Sequence, residues 1–328
     1  MNDKTDNLEL NINYRSPSKQ VDMKEGYDEN FKILDNSIQL ILGTLENTDV
    51  EFAKSIDLDE SYLYEYYAIP ISWSGLENFY GSSIWSDNYH TYLSYQSGQQ
   101  YYHYKFNKVL SKWEPMHFNF ESFTGGRIWH ANNRTFYSIV GYYSGGGYIA
   151  THKVFNSYTE SWEDMTWNGT DLFDAVDIWH TASDTYFTNR RDQMWMKLNT
   201  ATYTWEPQIW HYIGCTDNDF VSGGYYWYSN NHVYYSQGTR QFILNEETST
   251  WSVHNWGDAS EFDFYGSGVW KYDANIFLSS SYRLNLFTDK WEKIEWNNNI
   301  NFDGSYMWTM EGSCFNSYND IHYQILRK

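Results

Sequence analysis

An apolar residue followed by tryptophan recurs along this chain, at Ile84-Trp85, Ile128-Trp129, Ile178-Trp179, Tyr226-Trp227, Val269-Trp270 and Met307-Trp308. The steps between these tryptophans are 44, 50, 48, 43 and 38 residues. Such a period marks one supersecondary unit repeated, each copy burying its apolar faces against its neighbours. A second mark follows the first five copies, a pair of large aromatics five apart: Trp113/Phe118, Trp162/Trp167, Trp205/Trp210, Trp251/Trp256 and Trp291/Trp296. Between the marks lie short runs with aromatics at strand spacing, such as HTYLSYQ, TFYSIVG and DTYFTNR.

Each unit therefore reads as four short strands, a to d. The apolar-Trp mark sits on strand a and the aromatic pair on strand d. Residues five apart on a strand lie on opposite faces, so strand d needs cover on both sides. A blade held between two other blades meets that need, and the reading is all-β, a six-bladed β-propeller. One irregular copy would make it five or seven blades. The last copy ends at Lys328 without an aromatic pair, whereas AIPISWSG, residues 68 to 75, resembles the end of a d strand. The N-terminal strand is thus expected to complete the last blade, which hides the edges of an open array. The propeller is assigned residues 67–328.

Composition agrees. With 17 Trp and 32 Tyr, aromatics make up 21% of the chain, which suits many short strands. No apolar run reaches the length of a membrane span. The start, MNDKTDNLEL, lacks the basic and apolar regions of a signal peptide. Cys215 and Cys314 form no disulfide framework or zinc spacing, and read as free thiols in a reducing compartment. A net charge of −20 repels phosphate backbones and argues against nucleic acid as partner.

Ahead of the repeat, residues 1–27 are a polar arm and residues 28–66 a helical segment with its connector. Asp28 is placed to cap a helix. Phe31, Leu34, Ile38, Ile41 and Leu45 step by 3, 4, 3 and 4, an a/d seam. This short N-terminal α-helix is expected to oligomerise, as a trimer, or to dock on a larger assembly; the other reading lays it on its own propeller.

No nucleophile elbow, HExxH, P-loop or dinucleotide fingerprint is present, and no catalytic residue is assigned. The d–a loops are acidic, with Asp171, Asp174 and Asp177, Asp217 and Asp219, Glu261 and Asp263, and Asp303. On one face they would concentrate a negative field able to take Ca²⁺, amines or a basic partner; alternatively, Asp serves the turns. In the b–c loop GYYSGGGY, Tyr142, Tyr143 and Tyr148 are candidates to stack on sugar rings, or the loop is a plain insertion. His130 and His180 occupy equivalent positions after the a-strand Trp and read as repeat consensus rather than a metal site. The tryptophans read as blade core.

The unit, seen as FYGSSIW in the first copy and YTESWEDMTWNG closing the second, resembles the kelch-like repeats of tail and receptor-binding proteins from phages of low-GC Gram-positive bacteria, over about residues 70 to 328. YDENFKILDNSIQ is similar to short helices that begin many tail-fibre and tail-adaptor proteins. The kelch Gly-Gly doublet is regular in two units only, at Gly125-Gly126 and Gly223-Gly224. The resemblance implies a six-bladed kelch-like β-propeller in a virion tail component, assembled in the host cytoplasm as a homotrimer beside other virion tail proteins. It implies a propeller that recognises a host cell-wall glycopolymer such as teichoic acid, without a resident cofactor. Two other readings stand beside it: a structural tail or adaptor protein, and a propeller-based polysaccharide-degrading enzyme.

Overall fold

The computed structural model describes residues 66–327, apart from 144–145, 190–193, 221–223, 230, 257–263, 265, 273–274, 286–287, 289, 297–301 and 303. The expected helix and its seam residues, Phe31, Leu34, Ile38, Ile41 and Leu45, lie outside them. The described strands form six sheets; four are antiparallel meanders in sequence order, one adds a parallel strand, and one joins strands from both ends of the described chain, with Phe79–Tyr80 pairing beside Ser313–Asn319. Blade 1 holds Ile84–Ser86, Thr91–Ser97, Gln100–Asn107 and Lys112–Pro115 as strands a to d. Blade 2 holds Ile128–Ala131, Arg134–Tyr143, Gly147–Asn156 and Ser161–Asp164, and blade 3 holds Ile178–His180, Thr185–Asn189, Met194–Asn199 and Thr204–Pro207. Blade 4 comprises Tyr225–Ser229, His232–Gln237, Arg240–Asn245 and Thr250–His254, with His211–Ile213 added in parallel outside. Blade 5 comprises Val269–Tyr272, Asn275–Leu278, Tyr282–Asn285 and Lys290–Lys293.

Blade 6 takes three strands from the C-terminus, Met307–Met310, Ser313–Asn319 and Ile321–Arg327, and its fourth from Tyr66–Pro70. Ala68 faces Ile325 across that last pairing, and both are fully buried. Residues 66–327 thus form a six-bladed β-propeller, with the first and last described strands paired in one sheet.

The repeat marks explain the packing. Each a-strand Trp stacks on the aromatic seven residues later, directly opposite on strand b: Trp85 on Tyr92 at 4.3 Å, Trp179 on Tyr186 at 4.5 Å, and Trp308 on Phe315 at 4.6 Å between ring centroids. Its indole N–H donates nine residues on, to Ser94, Ser138, Thr188, Ser236 and Ser317 in five blades and to the Ser279 carbonyl in blade 5. A buried aromatic covers roughly 150–250 Å², so each contributes on the order of 4–6 kcal/mol of gross apolar burial. The indole bond stabilises less, about 1 kcal/mol, but it fixes the ring's direction.

Six buried clusters result, one per seam between blades. The aromatic pair does reach two seams, though not from within strand d. Trp162 lies in the strand Ser161–Asp164 and packs between blades 1 and 2, while Trp167 follows the strand and packs between blades 2 and 3. The departing chain turns at this second Trp towards the next blade. There the carbonyl of Asn168 accepts from the Trp205 backbone N–H at 2.9 Å, and Ser74 serves Trp113 in the same way at 2.9 Å. These short parallel bridges tie neighbouring outer strands together.

The c–d hairpins share a second device. Asn156 and Asn199 end their c strands, accept from backbone N–H groups in the following turn, and donate to Glu163 and Glu206 seven residues on, at 2.9 Å each. Asn285 and Glu292 repeat the contact at 2.6 Å. The Glu after the d-strand Trp is therefore a hairpin clamp.

Candidate functional site

Antiparallel topology puts the d–a and b–c connections at one mouth of the ring and the a–b and c–d connections at the other. The expected ligand residues that lie among the described ones fall at the first. Asp174 caps the 3-10 turn Ala175–Asp177 by accepting from the Val176 backbone N–H, and forms an ion pair with Arg127 of the preceding blade. Asp219 accepts from Thr216 at 2.8 Å and forms an ion pair with Arg240. Asp217 lies in the same turn, Asp217–Phe220, and helps to hold the Tyr212 phenol well above its usual range, after burial as the main cause. Asp177 ends the turn that Asp174 caps. The structure therefore brings these carboxylates into turns and ion pairs, blade by blade, rather than into one group. Asp263 and Asp303 lie outside the described residues. Among the described residues no cluster of three or more His, Cys, Asp or Glu is placed to hold a metal ion.

The segment GYYSGGGY is mostly strand. It lengthens both central strands of blade 2 to ten residues, with Tyr142 opposite Tyr148 and Tyr143 opposite Gly147. Tyr148 is exposed.

The other mouth carries a depression of about 430 Å³, built by the a–b turns of blades 1, 2 and 3. Its position follows from local sequence. In blade 2 the turn is Asn132-Asn133, with φ of 48° and 58°. Two left-handed residues make the tight hairpin that Asn tolerates best. Asn88 of blade 1 donates to the Asn133 carbonyl at 3.1 Å, joining two walls. In blade 3, Thr181 and Asp184 hold each other through backbone and side chain, and Asp184 forms an ion pair with Lys197 at 2.9 Å. Asp87 is almost fully buried and accepts from the backbone N–H groups of Tyr89 at 2.8 Å and His90 at 2.6 Å. Tyr89, which follows Asn88 in the same turn, is 66% exposed.

His130 and His180 line the depression from successive blades. Each Nδ1 meets the hydroxyl of the threonine opposite, Thr135 at 3.2 Å and Thr185 at 3.1 Å, which leaves each Nε2 edge for a ligand. Both residues are exposed to solvent at the wall of the recess, yet the protein packed beside the rings disfavours their charged form. That desolvation lowers the proton affinity of both, and His130 lowers His180 further, to about 4. Arg134 completes the wall, its guanidinium 5.2 Å from the Tyr203 ring centre. The pairing of His130 with His180 was visible in the sequence; the Asn132-Asn133 turn was the missed signal.

A second set of imidazoles is structural. His103 and His152 sit on c strands, facing Ser94 and Ser138. Each Nε2–H donates to a backbone carbonyl of the next d–a loop, Glu121 at 2.8 Å and Asp171 at 2.6 Å. A neutral ring that donates at Nε2 accepts at Nδ1, so each serine hydroxyl donates there, at 2.9 Å, while accepting the indole bond. His322 donates likewise to Glu77 at 2.8 Å. Burial lowers the proton affinity of all three. Unfolded, they take up protons below about pH 6.5; folded, they resist. Their stabilisation is thus complete above that pH and is lost as pH falls, at up to about 1.4 kcal/mol per pH unit for each ring. Thermal melts are expected to drop steadily from pH 7 to pH 5. His103→Gln imitates Gln241, the residue facing Ser236 in blade 4, and should flatten that slope; an unchanged slope in His103→Gln, His152→Gln and His322→Gln together would refute the account.

Fold and depression together define a β-propeller with a polar recess at the a–b mouth. No protein-family model and no curated protein sequence matches the chain. Among solved structures it is similar to the extracellular domain of the putative one component system BT4673 from B. thetaiotaomicron, with 9% identity and a TM-score of 0.44, over 74% of this chain and 33% of that one. It is also similar to YjhT, with 10% identity and a TM-score of 0.49, over 78% of this chain and 98% of that one. The chain spans about a third of the length of the first of these.

Proposed function

We propose that this propeller is a non-enzymatic recognition module of a virion tail, a receptor-binding or tail-fibre protein that takes a host cell-wall glycopolymer into the depression between blades 1, 2 and 3. The observation that carries the reading is the depression's wall. It offers hydroxyls (Ser86, Thr181, Ser183), side-chain amides (Asn88, Asn132, Asn133) and imidazole edges in one recess of about 430 Å³. Sugar rings are bound by such convergent polar groups, and the exposed ring of Tyr89, next in sequence to Asn88, supplies a flat apolar surface. The chain works in this role as a homotrimer among other tail proteins. The repeat resemblance supports the tail assignment, and the recess supports binding.

A polysaccharide-degrading enzyme is the second reading, because Asp87 and Asp184 both line the recess. Asp184 is paired with Lys197, and the Asp87 side chain is turned away from solvent with its Oδ1 taken by two backbone N–H groups, which favours binding over acid–base work.

The test is sedimentation of the purified protein with host cell walls, intact and stripped of glycopolymer, with the polymer assayed for cleavage. Binding that disappears on stripping, without cleavage, is expected. Asn133→Ala with His180→Ala should weaken it at least tenfold, and Asp174→Ala at the opposite mouth should not. Absence of binding to intact walls would sink the proposal, and loss with Asp174→Ala alone would move the site to the other mouth.

A further inference from the structure

We infer that the depression grips an anionic group of a polyhydroxylated ligand, a sugar carboxylate or sugar phosphate, between the imidazoles of His130 and His180 and the guanidinium of Arg134. This deepens the reading above and rests on it for the location of the site.

The recess separates spent charge from unspent charge. The chain carries 42 Asp and Glu against 22 Lys and Arg, so an arbitrary recess should be acidic. Here Asp184 is neutralised by Lys197 on the adjacent strand, and Asp87 is turned into the backbone of its own loop, with its side chain 1% exposed. Arg134 forms no ion pair among the described residues; its guanidinium lies against Tyr203 and Phe136, which holds the fork without consuming its charge. Both imidazoles line the recess, with Nδ1 engaged by a threonine hydroxyl and no hydrogen-bond partner at Nε2 among the described residues.

The equivalent a-strand positions of the other blades show the same bias. The residue after each a-strand Trp is Ser86, His130, His180, Tyr228, Lys271 or Thr309. Among these six equivalent positions, in a chain of net charge −20, there is no carboxylate. Two of them, on adjacent blades, are the imidazoles of the recess, and the fork of Arg134 suits carboxylate and phosphate oxygens.

An anion between the two rings favours their protonated forms, opposing the desolvation that disfavours charge there. Binding should therefore strengthen as pH falls. The charged groups facing the pair are Asp87 from blade 1, Arg134 from blade 2, and Asp184 with Lys197 from blade 3. The Asp184–Lys197 pair cancels, and Asp87 already acts on His130 in the free protein, so the added dependence belongs to the ligand.

Calorimetric titration of the full chain with glucuronate, glucose 1-phosphate and methyl glucoside, at pH 7.5 and 5.5, tests this. Both anions are expected to bind at least tenfold tighter than the neutral glycoside, and more tightly at pH 5.5. Preference for one anion alone identifies the group as carboxylate or phosphate. Arg134→Gln should cut the preference at least fivefold, and His130→Gln with His180→Gln should remove the pH effect, in proteins whose melting at pH 7.5 matches the parent. Equal binding of the neutral glycoside, or an anion preference that survives these substitutions, overturns the inference while cell-wall binding keeps the proposed function standing. No binding of any probe by a protein that still sediments with walls also overturns it. Failure of wall binding as well removes the function itself.

Discussion

Gly169→Ala is expected to destabilise the folded chain by about 3 kcal/mol or more, and Gly75→Ala by a similar amount. Both glycines follow the turning Trp, in Trp167-Asn168-Gly169 and Trp73-Ser74-Gly75, and both have φ of +88°. A left-handed backbone costs a residue with a Cβ roughly 1–2 kcal/mol. Space adds the rest. A Cβ on Gly169 would stand 2.1 Å from the Trp205 carbonyl oxygen, and one on Gly75 2.2 Å from that of Trp113. Those carbonyls belong to the d strands that the parallel bridges hold, so relief means opening a seam between blades. Gly98 separates the two effects: its φ is +64° and nothing lies within 4 Å of its missing Cβ. Gly98→Ala should show the backbone cost alone, roughly 1–2 kcal/mol. Urea titrations followed by tryptophan fluorescence would measure all three. Equal losses at Gly98 and Gly169 would show that the close approach to the neighbouring blade carries no weight.

The same bridges show why part of the architecture was legible and part was not. The apolar-Trp mark is readable because its partners sit at fixed offsets on an adjoining strand, seven and nine residues on. Trp85 with Tyr92 and Ser94 repeats as Trp308 with Phe315 and Ser317. The Ser–His contacts carry no such period, because the b–c connection between them varies. Ser94 and His103 are nine residues apart and Ser138 and His152 fourteen, while Ser317 and His322, directly opposite, are only five apart. An extended hairpin in blade 2 and a tight one in blade 6 place Ser and His directly opposite each other at equivalent positions of their blades.

The partners of the acidic loops were hidden from the sequence for a related reason. Asp174 and Asp219 stand out as charges in the sequence, but their partners, Arg127 and Arg240, lie 47 and 21 residues away. Spacing does not reveal such pairings. The recess is composed of turns from three blades whose residues differ, Asp87-Asn88, Asn132-Asn133 and Thr181 to Asp184. Repetition exposes what the blades share. A binding site lies in what they do not share, and it comes together only through the ring.

Ring closure makes the second large effect. Ala68→Asp is expected to open blade 6. Ala68 has no exposed surface; it packs with Ile325, Cys314, Trp270 and Phe277 in the seam between blades 5 and 6. An aspartate there is too short to reach solvent, and burying its charge or unbonded carboxyl costs several kcal/mol. Ala68 sits at the centre of a strand of five residues, Tyr66–Pro70, which attaches through one edge to Ile321–Arg327. Detaching that strand is therefore an alternative to unfolding the whole ring, and Cys314 reports on it. Its thiol is fully buried in the parent, whereas Cys215 is half-buried with a thiol pushed up by burial. In a Cys215→Ser background, a thiol reagent without denaturant should modify Cys314 at least a hundredfold faster once Ala68→Asp is present. Val109→Asp, at a position 92% exposed in the c–d turn of blade 1, should leave the rate unchanged. If opening is local, labelling accelerates while the tryptophan fluorescence of blades 1 to 4 holds. If the ring fails as a unit, both change together. Protection of Cys314 in Ala68→Asp equal to that in the parent would mean that the N-terminal strand does not close this propeller.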